Sequence, residues 1–285
     1  MNTALAPRPL SHTELEKALA AIRIPAYPAV VAEVMREAQK DDPQIKVLTR
    51  IIASDVGMSA TAVKLANSPM LGGTNPVKSV QQAVARLGIS NILNVVIAVA
   101  LRNSTDGLPE EQMARFWART SSLAMAAGVL ARKHVGISPE LAYTYALFHD
   151  AAIPVMMLNF PQYVEHCAHL LDDPESLCEL EREHFKCDHA VVGWLLARNW
   201  GLPDSIAAAI RYHHDPDVYI LPERELPSSA LALIAITVIA EHVIAECTRS
   251  AAVVGDSAFE NAKTFLGSSD TDIDDFHELV AAVLA

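Results

Sequence analysis

Helix start and stop signals recur along this chain at intervals of roughly 12 to 20 residues, the length of ordinary helices. No stretch alternates apolar and polar residues as a half-buried strand would. Ser11 with Glu14 reads as a capping box opening a helix to about Ile22. Pro28 then starts a segment with Val31, Val34 and Met35 on one face, and Asp42-Pro43 ends it. Ile45, Leu48, Ile51 and Ile52 keep helical spacing, and a further helix follows Asp55. The loop Ser68 to Pro76 carries Gly72, Gly73 and two prolines, and forbids a helix. Ser79 caps VQQAVARL, which Gly88 stops, and ISNILNVVIAVALRN is apolar on most sides, as a central helix would be. The polar stretch Ser104 to Pro109 reads as a hinge between two helical halves. The punctuation therefore predicts an all-α fold.

The second half continues in the same way. A long helix runs from Glu110 toward Gly136, Ser138-Pro139 starts another, and Pro161 and Pro174 each open one. The helix after Pro174 (ESLCELEREHF) is charged and is expected to face solvent. Asp188 caps HAVVGWLLARNW, Pro203 starts DSIAAAIRYHH, and Ala230 to Ala240 is the most apolar run. That run ends at Glu241-His242, short of the roughly 20 residues a bilayer span needs, and is read as a buried helix. Residues 251–285 offer two short helices joined by an acidic link, Asp270 to Asp275. The formal net charge of −12 opposes loose binding to nucleic acid or anionic lipid. Cys167, Cys178, Cys187 and Cys247 show no C-x-x-C pairing and fit reduced thiols. With no long apolar segment at the N-terminus, the expected location is the cytoplasm.

Chemistry concentrates at the ends of these helices. His149-Asp150 closes the run YALFHDAAIP, where Pro154 makes a regular helix past Asp150 awkward. Consecutive helical residues point about 100° apart, so the pair shares one ion only where the backbone opens. Asp188-His189, His213-His214 and Glu241-His242 supply more imidazoles and carboxylates from other helices. Such sets suit zinc, iron, manganese or nickel, and bundles commonly draw ligands from several helices. His166 and His169 lie on one face without a matching acid and are read as a solvated surface. Trp117, Trp194 and Trp200 read as core anchors, with Trp194 a candidate wall for a cavity behind His189. Asn67 to Gly73 reads as a turn required by the fold.

The order FHD, CDHAVVGWLLARNWGLP, IAAAIRYHHDP resembles the HD superfamily of metal-dependent phosphohydrolases. The upstream stretches IPAYPAVVAEVM, IIASDVGMSATAVKLANSP, NPVKSVQQAVARLGISNILNVVIA and FWARTSSLA resemble one branch, the HD-related output domain (HDOD) family of bacterial signalling proteins. The resemblance covers Ile22 to Pro216, roughly two thirds of the chain. It implies a two-lobed all-helical bundle: a lead helix over 1–21, a helical lobe over 22–106, an HD-like lobe over 107–216, and C-terminal helices over 217–285 that complete the second lobe and add a tail.

Departures from the hydrolase pattern then set the functional expectation. The helix over Glu110 to Lys133 has no His where the hydrolases carry their first ligand, and Thr120 to Ser122 stand near that place. Ile153 occupies the position of the phosphate-contacting Lys, and Glu241 is the one candidate for the closing acid. No Gly-Tyr-Pro signature follows His213-His214. Hydrolysis needs an ion to acidify water and neutralise phosphate oxygens, so these losses point to a non-catalytic signal-transduction module. Its implied partners are other signalling proteins or a second copy of itself, not nucleic acid or a membrane. His149, Asp150, His189, His213 and His214, with Glu241 as an additional acid, remain the set able to hold a divalent ion. The alternatives are a metal-dependent phosphohydrolase or phosphodiesterase with a reduced site, and a nucleotide sensor.

Overall fold

Side-chain caps set where several helices begin. In the computed structural model, which describes residues 22–26, 28–68, 75–167, 174–249 and 255–284, Asp55 accepts from the Met58 amide, Ser79 from Gln82, Ser138 from Leu141 and Asp188 from Val191. Each bond satisfies an amide left without a partner inside its helix, worth about 1 kcal/mol. The helices are α1 (Ala29–Ala38), α2 (Ile45–Ala53), α3 (Val56–Ala66), α4 (Val80–Asn103), α5 (Glu110–Ala131), α6 (Pro139–Phe148), α7 (Ala152–Asn159) and α8 (Tyr163–Cys167). They continue as α9 (Pro174–Phe185), α10 (His189–Asn199), α11 (Asp204–Tyr212), α12 (Ser228–Thr248), α13 (Asp256–Leu266) and α14 (Asp270–Leu284). No strand occurs among the described residues.

Helices α1 to α3 pack along α4, and α5 to α14 build the second lobe around α5, α6 and α12. Gly88 interrupts α4 with φ of 68°, a left-handed conformation that glycine adopts without penalty, at the stop read from the sequence. Beyond it Ile92, Val95, Val96 and Leu101 are buried. Ala124, Ala126, Ala127 and Ala131 on α5 are fully buried, and these small side chains let α6 approach closely. Thr144 bonds Asn94 at 2.5 Å across the lobes, and Trp200 donates to the Pro25 carbonyl at 3.0 Å.

The structure alters two local expectations. Asp270 and Asp272 form no link: they open α14, where carboxylates favour the positive end of the helix. Helix α9 is charged but not simply solvated, since Leu177, Cys178 and Glu181 are buried. The lead helix, the Pro69 to Thr74 loop and His169 lie outside the described residues. Three stretches, Val80–Asn103, Pro139–Asn159 and Ser228–Thr248, are long and apolar enough to cross a membrane, and 61%, 83% and 61% of their apolar windows are buried within this fold.

Gly193 is where α10 and α11 meet. A Cβ there would sit 2.8 Å from Ile210 Cγ2 and 3.7 Å from the His149 carbonyl. Gly193→Ala is expected to cost about 1–3 kcal/mol by overpacking, read as a lower urea midpoint with unchanged m-value.

Candidate metal centre

The His-Asp pair sits at a break between helices. Helix α6 ends at Phe148, His149 to Ala151 form a turn, and α7 begins at Ala152 with Pro154 inside its first turn. Opening the backbone there lets neighbouring side chains converge: His149 Nε2 stands 3.0 Å from Asp150 Oδ2. The start of α10 brings His189 and the end of α11 brings His213 and His214 to the other carboxylate oxygen. Asp150 Oδ1 is 3.5 Å from His189 Nε2 and 3.3 Å from His213 Nε2, and His214 Nε2 is 3.0 Å from His189 Nε2. Asp150, His189, His213 and His214 each offer a ligand atom, all within 4.8 Å of one another.

Hydrogen bonds on the far side of the rings fix how they face. His149 Nδ1 donates to the Ala146 carbonyl at 2.8 Å, His213 Nδ1 to Ile210 at 2.7 Å, and His189 Nδ1 to Glu181 Oε2 at 2.8 Å. A neutral ring with its proton on Nδ1 turns a lone pair on Nε2 toward Asp150, acceptor against acceptor, which repels unless a proton or metal cation lies between. This is also how proteins orient metal-ligating histidines. The donor set of three imidazoles and one carboxylate therefore fits a divalent zinc, iron, manganese or nickel ion.

The electrostatics follow from burial set against these neighbours. Burial works to lower His149, but Asp150 and Glu241 outweigh it and hold the ring above its ordinary value. The same contest keeps His189 well above, because Glu181 stands against it. His213 and His214 go the other way: burial dominates and keeps both below the usual imidazole range, neutral and available as ligands. Burial opposes ionisation of Asp150, yet the surrounding imidazoles hold it well below the usual carboxylate range. Cys178 Sγ lies 3.9 Å from His189 Nδ1, but that nitrogen is engaged by Glu181 and burial raises the thiol, so no thiolate is on offer.

Four of the five ligand candidates converge; His149 stands apart on the other oxygen of Asp150, with Glu241 4.0 Å from its Nε2. Three residues escaped the sequence reading. Arg119, beside the place where a first His was sought, lines the cavity and pairs with Glu241 at 3.5 Å, so a cation is present after all. Glu181, hidden in a charged helix, orients His189. Tyr163 donates to Glu181 from below. His242 stacks on Phe259, ring centroids 3.8 Å apart, and takes no part in the cluster. Trp194 does not line the cavity at the cluster; it lies under Arg198, whose guanidinium carbon is 5.3 Å from the ring centroid.

Comparison with known proteins agrees with this architecture. A curated relative from Treponema pallidum (strain Nichols), described only as an uncharacterized protein, is 24% identical over 198 residues, 67% of this chain and 38% of the relative. The chain thus matches well under half the length of that relative. A structure from Shewanella amazonensis SB2B, provisionally assigned as a phosphohydrolase, superposes with a TM-score of 0.67 at 22% identity, covering 95% of this chain and 96% of that one. Another from Marinobacter aquaeolei VT8, provisionally assigned to signal transduction, gives 0.68 at 22% identity, covering 95% and 64%. These likenesses establish the fold. Residues 24–216, more than half of the chain, match the sequence profile of the HDOD domain: the chain belongs to the HDOD family.

Proposed function

We propose that this chain is a non-catalytic bacterial signal-transduction module that works by binding other signalling proteins in the cytoplasm, its His-Asp cluster clamping one divalent cation. The observation that carries this reading is the convergence of Asp150, His189, His213 and His214 on one point. Four protein ligands close a tetrahedral ion, whereas catalytic sites hold it with three and leave a position for water. When bound, the ion supplies a cross-link between the α6–α7 turn, α10 and α11. Ile153, buried on the wall, offers no charge to a phosphate. The provisional signalling assignment of the Marinobacter structure points the same way.

One observation favours the rival reading of a metal-dependent phosphohydrolase. His149 stands on the second oxygen of Asp150, with Glu241 and then Arg119 in line behind it, and a guanidinium so placed can stabilise charge on a reacting phosphoryl group. Elemental analysis of gently purified protein together with turnover assays decides between them. The expected result is about one divalent ion per chain, the occupancy of a single closed site, and no hydrolysis of nucleotides or cyclic dinucleotides with added manganese, iron or nickel. Metal-dependent hydrolysis that disappears in His149→Ala would overturn the signalling reading.

A further inference from the structure

The cavity does not end at the imidazoles. It measures about 180 Å³ and runs outward between the 3-10 turn Val218–Ile220, α12 and the start of α13. Helices α12 and α13 lie beyond residues 24–216, so this outer wall is not part of the matched HDOD segment.

Two buried hydroxyls on that wall have no protein partner. Thr237 on α12 is 3% exposed, faces the cavity, and its hydroxyl has no partner. Buried hydroxyls are almost always satisfied, so an orphan that faces a cavity is free to bond a molecule entering it. Tyr219 repeats the pattern: its buried hydroxyl is also unpartnered, and burial raises the phenol, which keeps its proton. Gly255, Ser257 and Ala258 bring the N-terminus of α13 to the cavity, and no side chain caps it. Its first amides and the helix dipole favour a negative group. Arg119 adds a guanidinium. The carboxylates facing the cavity are already engaged: Asp150 by the imidazoles, Glu241 by Arg119 and His149, and Asp215 by the Asp217 amide.

We propose that the outer half of the cavity is a binding site for one small oxyanion, a carboxylate- or phosphate-bearing molecule held by Thr237, Tyr219, Arg119 and the opening amides of α13. Size restricts the class. A 150 Å³ cavity in another protein takes benzene, so the whole of this one, the side at the His-Asp cluster included, admits at most on the order of six to eight non-hydrogen atoms. A cyclic dinucleotide is far too large. The ligand deepens the signalling reading and rests on it for its role: binding beside the His-Asp cluster ties α12 and α13 to the HDOD lobe, giving the module two states to pass on.

The test is calorimetric titration of the full chain with inorganic phosphate and, separately, malonate, in metal-loaded and chelator-treated forms. Saturable binding of either probe is the expected result, and which one binds separates the two sources. Thr237→Val keeps the shape of the side chain and deletes the orphan hydroxyl. It should weaken binding at least tenfold while its ligand-free melting temperature stays level or rises, and Tyr219→Phe should move affinity the same way. A hydroxyl with a purely structural role would lower the melting temperature instead. No saturable binding in either form, or Thr237→Val binding as tightly as the unmodified chain, overturns the site. Hydrolysis of phosphoesters would remove the signalling reading and leave this site standing, whereas absent binding removes the site and leaves that reading untouched.

Discussion

Asp150→Asn should strip the protein of its ion: divalent-metal content after dialysis is expected to fall from about one per chain to under a tenth, with affinity down at least about 100-fold. Asp150 supplies the only carboxylate of the four-ligand set, and both its oxygens face imidazole nitrogens whose lone pairs are fixed by bonds on the opposite edge of each ring. Asparagine keeps the shape and removes the charge that offsets the ion. The metal-free variant has a second signature. In the unmodified chain Asp150 is the strongest influence opposing burial at His149, and the ring titrates above its ordinary value. A histidine raised in this way contributes stability that is fully present below its unfolded pKa and is lost as pH rises through the folded value. Removing Asp150 lets burial prevail, so the His149 titration should move downward in imidazole NMR spectra of chelator-treated protein. Full metal occupancy in Asp150→Asn, confirmed by elemental analysis, would show that the ion sits elsewhere.

The helices and the ligands were legible in the sequence for different reasons. Caps such as Ser138 and Asp188, and stops such as Gly88, act within three or four residues, so local chemistry declares them. His149-Asp150 and His213-His214 stood out because polar pairs at the ends of apolar runs must be accommodated somewhere. Arg119 did not: a lone arginine in a long helix reads as surface, and only the fold reveals that its neighbour is Glu241, 122 positions along the chain. Glu181 was hidden for the opposite reason. Set among Glu179, Arg182 and Glu183, it looks like part of a solvated face, and only the packing of α9 beside the start of α10 buries it. The same long-range packing leaves Thr237 and Tyr219 without partners. Nothing local distinguishes an orphaned hydroxyl from one bonded to its own helix.

Glu181→Ala is the substitution expected to cost most stability. The carboxylate is fully buried and serves three donors: the His189 backbone amide and Nδ1, both at 2.8 Å on one oxygen, and the Tyr163 hydroxyl on the other. Truncation leaves all three buried without the acceptor they share. Removing one member of a buried charged network typically costs about 3–5 kcal/mol, and in a domain of this size that lowers the melting temperature on the order of 10 °C. Its second effect reaches the metal centre. Without Glu181 the His189 ring loses the bond that fixes its tautomer and aims Nε2 at Asp150, and loss of such an orienting partner weakens metal affinity about 10- to 100-fold. Glu181→Gln separates the two. Its amide is isosteric and still accepts one bond, so much of the melting temperature should return, but its NH2 group faces a donor at one end and leaves the ring poorly oriented. Calorimetry and metal titration on both variants would then show stability recovering ahead of affinity. A Glu181→Ala protein that melts within about 2 °C of the unmodified chain, under 1 kcal/mol at this size, would mean that Glu181 neither supports the start of α10 nor positions His189.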